Sequence, residues 1–351
     1  MGAPIDGSRK VWDRRQFGRT LAAAAVSLAL PGAIAAAPKF GLQGTFLQLL
    51  NVHIGWTRQD WTRLFAEFSQ LRLSTLVVQW SVHDETPLFN QPQHAVNANA
   101  PLEMILSMAD AANMNVYLGL VHDSQYWEHI KQAPEQVEAY LRQLLDRSAT
   151  TASQLRPLTK AHSSFKGWYI SQEVDDLNWE KPALRSALIA YLEQLSGFLR
   201  VLTPEARISM SGFANSGTDP KQLEDLWQAL LAGARAIDLV FFQDSIGVAK
   251  LSLAKLPDYL AAVGRAVDSH LRVLQTVVEV FRQDHGAPID NQAFHAVPAS
   301  LERIEHQIEI ARNYSSGIIA FGIPEYMSAS GTPEAASLFR DYLVTSENSK
   351  K

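Results

Sequence analysis

Two kinds of hydrophobic pattern alternate along most of the chain. In the first, apolar, β-branched and aromatic residues form short runs that end in polar residues, which is typical of buried strands. Such runs occupy residues 44–50, 75–80, 116–121, 165–176, 208–213, 238–243, 273–281 and 317–323. In the second, apolar residues recur every three or four positions, which predicts helices that bury one face. The pattern therefore predicts strands that are each followed by a helix.

Helix-start signals support this assignment. Thr57 precedes a helical run and has Asp60 three residues later, which is the spacing of a capping box. Proline is favoured in the first turn of a helix, and it opens several of the other runs, at Pro101, Pro134, Pro182, Pro220 and Pro333. Further helical runs lie around residues 256–263 and 301–308. Strands and helices that alternate with short links are the pattern of βαβ units.

Eight strand–helix units over this length predict an α/β fold that is a single (β/α)8 TIM barrel, which we assign to residues 38–351. An open doubly wound sheet is the alternative, because periodicity does not show whether a sheet closes. The absence of a Gly-x-Gly-x-x-Gly after the first strand, and of a phosphate-binding Walker motif, favours the barrel. Polar residues 81–100 and 282–297 predict its two long loops.

The N-terminal residues 1–37 have the pattern of an export signal. The paired arginines Arg14 and Arg15 precede the short apolar run 21–30, and the best cleavage position follows Ala35. This order resembles a twin-arginine signal, so we expect export by the twin-arginine translocase to a bacterial periplasmic or secreted location. A lipid or membrane anchor is the alternative. It is disfavoured because the chain has no cysteine and the run is short for a span, so we expect no membrane insertion after cleavage.

Charge and composition narrow the function classes. The net charge is −5, and loss of the leader, with five basic and two acidic residues, would make it −8. An acidic chain without basic clusters argues against nucleic acid or anionic lipid as a partner. The absence of cysteine excludes disulfides, thiolate catalysis and cysteine-bound zinc. A hydrophobic content of 47% allows a large core.

Polar and aromatic residues gather near the ends of the predicted strands. Because active residues of a barrel come from the C-terminal strand ends and the loops after them, we predict a carbohydrate-binding cleft there. The predicted substrate-binding residues are Gln48, Gln79, Trp80, His122, Gln172, Trp179, Asn215, Gln243, Asp244 and Glu325. The tryptophans would stack on sugar rings, and packing within the loops is the alternative for each of them. Gln243, Asp244 and Glu325 could orient a catalytic group instead of binding substrate. We predict no metal and no cofactor, since neighbouring pairs such as His122 and Asp123 would point to opposite faces of a strand.

The predicted catalytic residues are Glu173 and Glu279. Each follows an apolar run, on the fourth and the seventh predicted strand. Hydrolysis of a glycosidic bond needs one carboxylic acid to protonate the leaving oxygen and one carboxylate to attack or to activate water. Carboxyl groups about 5 to 5.5 Å apart give retention of configuration, and a wider gap gives inversion. For each glutamate, an ion pair or a cap at a strand end is the alternative role.

The chain resembles the large superfamily of retaining glycoside hydrolase barrels, which place glutamates after strands four and seven. The resemblance implies that Glu173 is the acid/base and Glu279 the nucleophile. The superfamily usually has Asn before its acid/base, where this chain has Gln172. The chain more closely resembles a secreted bacterial family, domain of unknown function 4434, in GTFLQLL, LVVQW, GWYISQE and DLVFFQDSIG.

These features together predict a periplasmic hydrolase that cleaves a polysaccharide or oligosaccharide of the bacterial envelope or matrix, with retention. The alternative from another class is a barrel that binds glycan, or assists exopolysaccharide assembly, without cutting it. A lyase or transglycosylase that uses the same carboxylates is a third reading.

Overall fold

The computed structural model describes residues 41–91, 97 and 99–348. The predicted signal peptide, residues 1–37, lies outside this part of the chain. Within the described part, no helix combines the length and the apolar composition needed to cross a membrane.

Eight parallel strands close into a barrel in their chain order. Their bounds are β1 Gly44–Leu47, β2 Thr75–Val78, β3 Asn115–Gly119, β4 Phe165–Asp175, β5 Arg207–Phe213, β6 Leu239–Gln243, β7 Val273–Glu279 and β8 Gly317–Phe321. Closure is visible at β1, where Gly44 pairs with Thr75 of β2 and with Ile319 of β8. The predicted (β/α)8 barrel is confirmed, and the open doubly wound sheet is excluded.

Eight long helices surround the strands. They are α1 Arg58–Gln70, α2 Pro101–Ala111, α3 Pro134–Ala161, α4 Pro182–Leu202, α5 Pro220–Gly233, α6 Leu256–Ser269, α7 Leu301–Ala311 and α8 Pro333–Asn348. The capping box predicted for α1 is present: the Thr57 amide donates to Asp60 Oδ2 at 2.8 Å, and the Asp60 amide donates to Thr57 Oγ1 at 3.4 Å. The prolines stand in the first turns of their helices because that turn leaves the amide without an intrahelical acceptor.

Aromatic side chains fill the interior of the barrel. The Phe46 ring lies 5.4 Å from the Tyr169 ring and 5.5 Å from the Phe241 ring, both edge to face. The same buried cluster contains Val77, Tyr117, Leu239, Val277 and Ile319. The interior is therefore a packed core, and a ligand has room only at the ends of the strands.

An irregularity in β4 positions one candidate glutamate. Ile170 pairs with Met210 and Val174 pairs with Gly212, so three residues of β4 oppose the single residue Ser211 of β5. Such a bulge bends a strand locally and changes the direction of the side chains near it. Glu173 lies in this bulged segment, at the C-terminal end of the strand.

The two predicted long loops contain regular structure. Phe281–His285 pairs antiparallel with His295–Pro298. After β2, a small sheet joins Thr86–Pro87, Val82–His83 and Val121–His122. Short helices also follow three barrel strands, at Asn51–Ile54, Tyr126–His129 and Ile323–Tyr326.

Candidate active site

Glu173 lies near two amide side chains from the C-terminal ends of β2 and β6, the strands two places away on either side of β4. Its Oε1 accepts a hydrogen bond from Gln243 Nε2 at 2.7 Å, and Gln79 Nε2 lies 3.5 Å from the same oxygen. Its backbone carbonyl accepts a hydrogen bond from the Tyr126 hydroxyl at 2.9 Å. The predicted residues Gln79 and Gln243 are thus brought to the predicted acid/base, and they contact it directly.

Glu279 ends β7 and is almost completely buried. Its Oε2 accepts a hydrogen bond from the Val248 amide at 2.9 Å, and the Gly247 amide also donates to the carboxyl group. A methyl group on Gly247 would lie 2.7 Å from Glu279 Cβ and 2.8 Å from Oε2. The backbone approaches the carboxyl group so closely that only glycine fits at this position.

Strand β6 and the loop after it hold both glutamates. The last residue of the strand, Gln243, binds Glu173, and the amide of Val248 in the following loop binds Glu279. The strand also pairs directly with β7, where Gln243 faces Val277. One continuous segment, residues 243–250, therefore relates the two carboxyl groups to each other.

A polar network lies behind Glu279. Asp244 is fully buried, and it accepts hydrogen bonds from the Ile246 amide and from Gln307 Nε2. Arg303 donates to Gln307 Oε1 at 3.0 Å and to the Glu279 carbonyl oxygen at 2.8 Å. Arg303 and Gln307 both lie in α7. Asp244 was predicted to bind substrate or to orient a catalytic group, and the structure encloses it in this network beside Glu279, away from solvent.

Burial raises the pKa of both candidate glutamates. For Glu173, the hydrogen bond from Gln243 and the charge of Lys250 oppose the rise. For Glu279, burial and the neighbouring Asp244 carboxylate raise the pKa, while the two amides and Lys250 oppose them. Burial disfavours the charged form of a carboxyl group, and a nearby cation favours it. The site therefore holds protons on carboxyl groups at higher pH than a solvated glutamate would.

Glu325, which follows β8, contacts Gln48, which follows β1. The Gln48 backbone amide donates to the Glu325 carboxyl group, whose Oε2 is buried without a hydrogen-bond partner. Burial raises the pKa of Glu325 to about 7. Glu325 lies in the short helix after β8, next to Tyr326, so the residues are near the strand ends as predicted.

Two tryptophans predicted to stack on sugar are buried. Trp80 is 3% exposed, and its Nε1 donates to the Leu49 carbonyl oxygen at 2.7 Å. Trp179 is 0% exposed. Neither ring offers a free face to a ligand. The prediction that these tryptophans line the cleft is corrected.

Two further residues predicted to bind substrate, Gln172 and Asn215, form hydrogen bonds within the protein. Gln172 is buried, where it donates to the Val121 carbonyl oxygen at 2.8 Å and accepts from the Tyr191 hydroxyl at 2.7 Å. These contacts direct the Gln172 side chain toward α4, whereas Glu173 contacts Gln79 and Gln243. The backbone and side-chain amides of Asn215 donate to Asp176 Oδ1 at 2.7 and 3.2 Å. Both predicted substrate contacts are replaced by contacts within the protein.

His122 packs on the Trp80 ring, with the ring centres 4.3 Å apart. Burial lowers its pKa, and the nearby His83 adds to this effect. His122 is partly accessible and lies in the small sheet after β3. In the described part of the chain, no three His, Asp or Glu side chains converge as a metal site would require.

The sequence analysis missed the loop after β6. Gly247, Val248 and Lys250 all bear on the glutamates, and the Lys250 ammonium group lies 4.1 Å from the centre of the Phe213 ring. The only signal for this loop was the segment DLVFFQDSIG, which ends at Gly247. A backbone amide has no sequence signature of its own, so its role became visible only in the fold.

The fold and these contacts define the class: a (β/α)8 barrel with two glutamates at the C-terminal ends of β4 and β7. The sequence model of the family described as "Domain of unknown function (DUF4434)" matches residues 42–337. The chain belongs to this family. The Escherichia coli (strain K12) protein YbcH is 29% identical over 225 residues, which is 64% of this chain and 71% of that protein.

Several solved structures of glycoside hydrolase barrels are similar. A Bacteroides thetaiotaomicron protein, provisionally assigned as an alpha-L-fucosidase, has a TM-score of 0.67 at 17% identity, covering 86% of this chain and 93% of its own. A beta-galactosidase from Marinomonas ef1 has a TM-score of 0.58 at 9% identity, covering 88% and 60%. A GH18 chitinase from Pseudoalteromonas aurantia has a TM-score of 0.50 at 13% identity, covering 87% and 99%. At these identities the likeness shows the shared fold.

Proposed function

We propose that this protein is a glycoside hydrolase that cleaves a polysaccharide or oligosaccharide of the bacterial envelope or matrix with retention of configuration. The observation that carries the proposal is the segment 243–250, which binds Glu173 at one end and Glu279 at the other. A pair of carboxyl groups held at one rim of a barrel is what the reaction needs. The proposed chemistry requires no metal or cofactor.

In this mechanism Glu173 is the general acid and then the general base. Burial raises its pKa, so the carboxyl group keeps a proton for the leaving oxygen at a pH where a solvated glutamate would be ionised. Only one of its oxygens, Oε1, accepts the amides of Gln79 and Gln243. The other oxygen is available to carry the proton to the glycosidic oxygen. After the aglycone leaves, the carboxylate removes a proton from water.

Glu279 is the nucleophile. Its carboxylate forms a bond to the anomeric carbon as the glycosidic bond breaks, and water later hydrolyses the glycosyl-enzyme. The Val248 amide fixes Oε2 and the Gly247 amide also donates to the carboxyl group, and in this mechanism Oε1 is the oxygen that attacks. Burial and Asp244 oppose ionisation, so the carboxylate is poorly solvated before it reacts. The positive charge that develops on the sugar in the transition state would stabilise the Glu279 carboxylate.

The similar solved structures support the substrate class, and the N-terminal sequence supports the location. The similar solved structures are described as enzymes that act on glycosidic bonds, namely a fucosidase, a galactosidase and a chitinase. Arg14 and Arg15 support export by the twin-arginine translocase to the periplasm or beyond. A folded hydrolase there would meet envelope and matrix glycans.

The first test is activity in amide variants. Glu173→Gln and Glu279→Gln remove the proton donor and the nucleophile with little change in shape, and each should lower turnover at least ~10²-fold. Glu180→Gln is the matched control, because Glu180 is exposed in the loop after β4, and it should keep full activity. Turnover would be measured on a panel of envelope oligosaccharides, with circular dichroism to check folding.

The products separate the proposal from its rivals. A retaining hydrolase releases the sugar with its original anomeric configuration, as proton NMR of the first product would show. An unsaturated product would indicate a lyase, and a transferred glycan a transglycosylase. Binding of an oligosaccharide without cleavage, unchanged in Glu279→Gln, would establish the glycan-binding alternative. Full activity in either catalytic variant would contradict the assigned roles.

A further inference from the structure

Gln307 is a fully buried polar residue of α7, with 0% of its surface exposed. A buried side-chain amide has lost its bonds to water, so its nitrogen and oxygen need partners within the protein. Nε2 donates to Asp244 Oδ2 and lies 3.4 Å from the Glu279 carbonyl oxygen, while Oε1 accepts from Arg303 Nε at 3.0 Å. These partners fix the orientation of the amide, because its nitrogen only donates and its oxygen only accepts.

The same network holds the backbone of Glu279 at the end of β7. The register between β6 and β7 ends two residues before Glu279. The Glu279 amide then donates to Asp244 Oδ1 at 3.4 Å, and its carbonyl oxygen accepts from Arg303 at 2.8 Å and from Gln307 at 3.4 Å. Three side chains therefore bond the Glu279 backbone on the side where the strand pairing has stopped.

Asp244 also organises the loop that binds the Glu279 side chain. Its Oδ1 accepts from the Ile246 amide at 3.2 Å, and two residues further along the Val248 amide donates to Glu279 Oε2 at 2.9 Å. One carboxylate is thus bonded both to the Glu279 backbone and to the turn that leads to the donor of its carboxyl group. Gln307 binds the other oxygen, Oδ2, and so fixes the rotation of this carboxylate.

Packing alone does not explain the choice of residues. Burying a carboxylate, a guanidinium group and an amide together is costly unless each hydrogen bond is made, and apolar side chains of similar volume would fill the space at least as well. The hydrogen bonds of Asp244, Arg303 and Gln307 instead converge on one backbone, that of Glu279.

We propose that Gln307 is a positioning residue for Glu279, with its side-chain amide orienting the Asp244 carboxylate that fixes both the Glu279 backbone and the loop 244–248. Gln307 is enclosed, so it acts through Asp244 and not on a sugar. Its importance for cleavage rests on the proposed function, whereas its effect on the position of Glu279 does not.

The test exchanges the polarity of the Gln307–Asp244 hydrogen bond. Gln307→Glu keeps the shape but places a second acceptor against Asp244 Oδ2, and Asp244→Asn places a second donor against Gln307 Nε2. In the double variant the amide introduced at position 244 donates to the carboxylate introduced at position 307. That carboxylate still accepts from Arg303, so the network is restored with donor and acceptor exchanged.

The first readout needs no substrate. Hydrogen exchange of the Glu279 and Val248 amides would be followed by NMR of 15N-labelled protein. Each single variant should exchange both amides at least ~10-fold faster, because loss of a buried hydrogen bond favours local opening. The double variant should return to within about threefold of wild type. The amides of β1 and β3, remote from the network, should exchange at wild-type rates in all variants.

The controls separate positioning from stability. Glu305→Met changes an exposed residue of the same helix and should leave every rate unchanged. Gln307→Met removes the polar atoms from a side chain of similar length, and it tests the same contact if Gln307→Glu does not fold. Unchanged exchange of the Glu279 and Val248 amides in a folded Gln307 variant would overturn the proposal. Equal acceleration across the barrel, or no recovery in the double variant, would do the same.

A substrate, once found, gives a second readout. The single variants should lower kcat ~10²-fold and change KM by less than about threefold, since Gln307 displaces the nucleophile without contacting the sugar. The double variant should recover most of kcat. A change confined to KM would contradict a positioning role. Failure of the hydrolase assignment is a separate outcome, in which wild type cleaves no glycan while the exchange results stand.

Discussion

At the scale of single residues, Gly247 decides where Glu279 can lie. A methyl group at this glycine would be 2.6 Å from the Phe281 carbonyl oxygen and 2.7 Å from Glu279 Cβ. Real side-chain carbons do not approach backbone oxygens so closely, so either the loop or β7 would have to shift. A displacement of about 1 Å in an active site can cost ~10²-fold in rate.

We expect Gly247→Ala to lower turnover at least ~10²-fold by moving Glu279 away from the sugar. The variant should also be less stable by ~1–3 kcal/mol, because the extra methyl group overpacks the site. Turnover and urea unfolding would measure the two effects. The matched control is Gly197→Ala in α4, where an added methyl group would contact nothing within 4 Å.

Gly197→Ala should keep full activity and gain ~0.5–1 kcal/mol, since alanine costs less backbone entropy than glycine in a helix. Wild-type turnover in Gly247→Ala would show that Glu279 does not depend on the loop amides for its position.

The same residues show what a sequence can predict at this scale. The positions of Glu173 and Glu279 at strand ends could be predicted because a polar residue that ends a buried apolar run lies at the rim of the barrel. Trp80 and Trp179 were misplaced because the direction of a ring in a loop depends on which neighbours cover it. Gln172 was misplaced because it lies in the irregular segment 171–173 of β4, where the direction of a side chain does not follow the alternation of a regular strand.

At the scale of elements, the short helix Ile323–Tyr326 after β8 contains a buried carboxyl group. Glu325 lies in this helix, its Oε2 has no hydrogen-bond partner, and burial raises its pKa to about 7. As the pH rises, the unfolded chain releases the Glu325 proton near the ordinary glutamate pKa of about 4.3, whereas the folded protein keeps it until about pH 7. The stability that this proton provides is fully present below about pH 4.3 and is lost as the pH rises through about 7.

Glu325→Gln should remove this loss. The free energy of unfolding of the variant minus that of wild type should increase by ~1–3 kcal/mol from pH 5 to pH 8, because the variant has no charge to bury. Guanidinium unfolding at the two pH values would measure the gain. Glu309→Gln, at an exposed position of α7, should show no such pH-dependent difference. An equal difference between wild type and Glu325→Gln at both pH values would contradict the buried-carboxyl account.

Elements with strong periodicity were predictable, and the connections between them were not. The eight strands and their helices follow from apolar spacing and from proline and capping signals. Most of the hairpin Phe281–His285 with His295–Pro298 was predicted as loop, residues 282–297, because after Phe281 the first strand consists of polar residues only. The β4 bulge was also not predicted, since the polar residues 171–173 that form it are what the end of any strand at the rim would show.

At the scale of the whole molecule, helix α8 is hydrogen-bonded to the segment that leads into β1. Leu42, just before β1, donates its backbone amide to the Tyr342 hydroxyl of α8 at 2.7 Å. Leu338 and Phe339 of the same helix are buried in the main core. The hydroxyl satisfies an amide that has no access to water, across 300 residues of chain.

Tyr342→Phe should destabilise the protein by ~1–3 kcal/mol, because it leaves the Leu42 amide buried without an acceptor. Urea unfolding would measure the loss. Tyr314→Phe removes a hydroxyl from a partly buried ring and should change stability by less than ~0.5 kcal/mol. Similar stabilities for the two variants would mean that the closing hydrogen bond contributes little.

The most direct test of the account is to trap the proposed glycosyl-enzyme. Wild-type protein would be incubated with 2-deoxy-2-fluoroglycosyl fluorides of the sugars that it hydrolyses, and its peptides would be mapped by mass spectrometry. The fluorine destabilises the positively charged transition state and slows hydrolysis of the intermediate. The account predicts one added sugar, on Glu279. A label on another carboxylate, or hydrolysis of the parent glycoside with no labelled peptide, would contradict it.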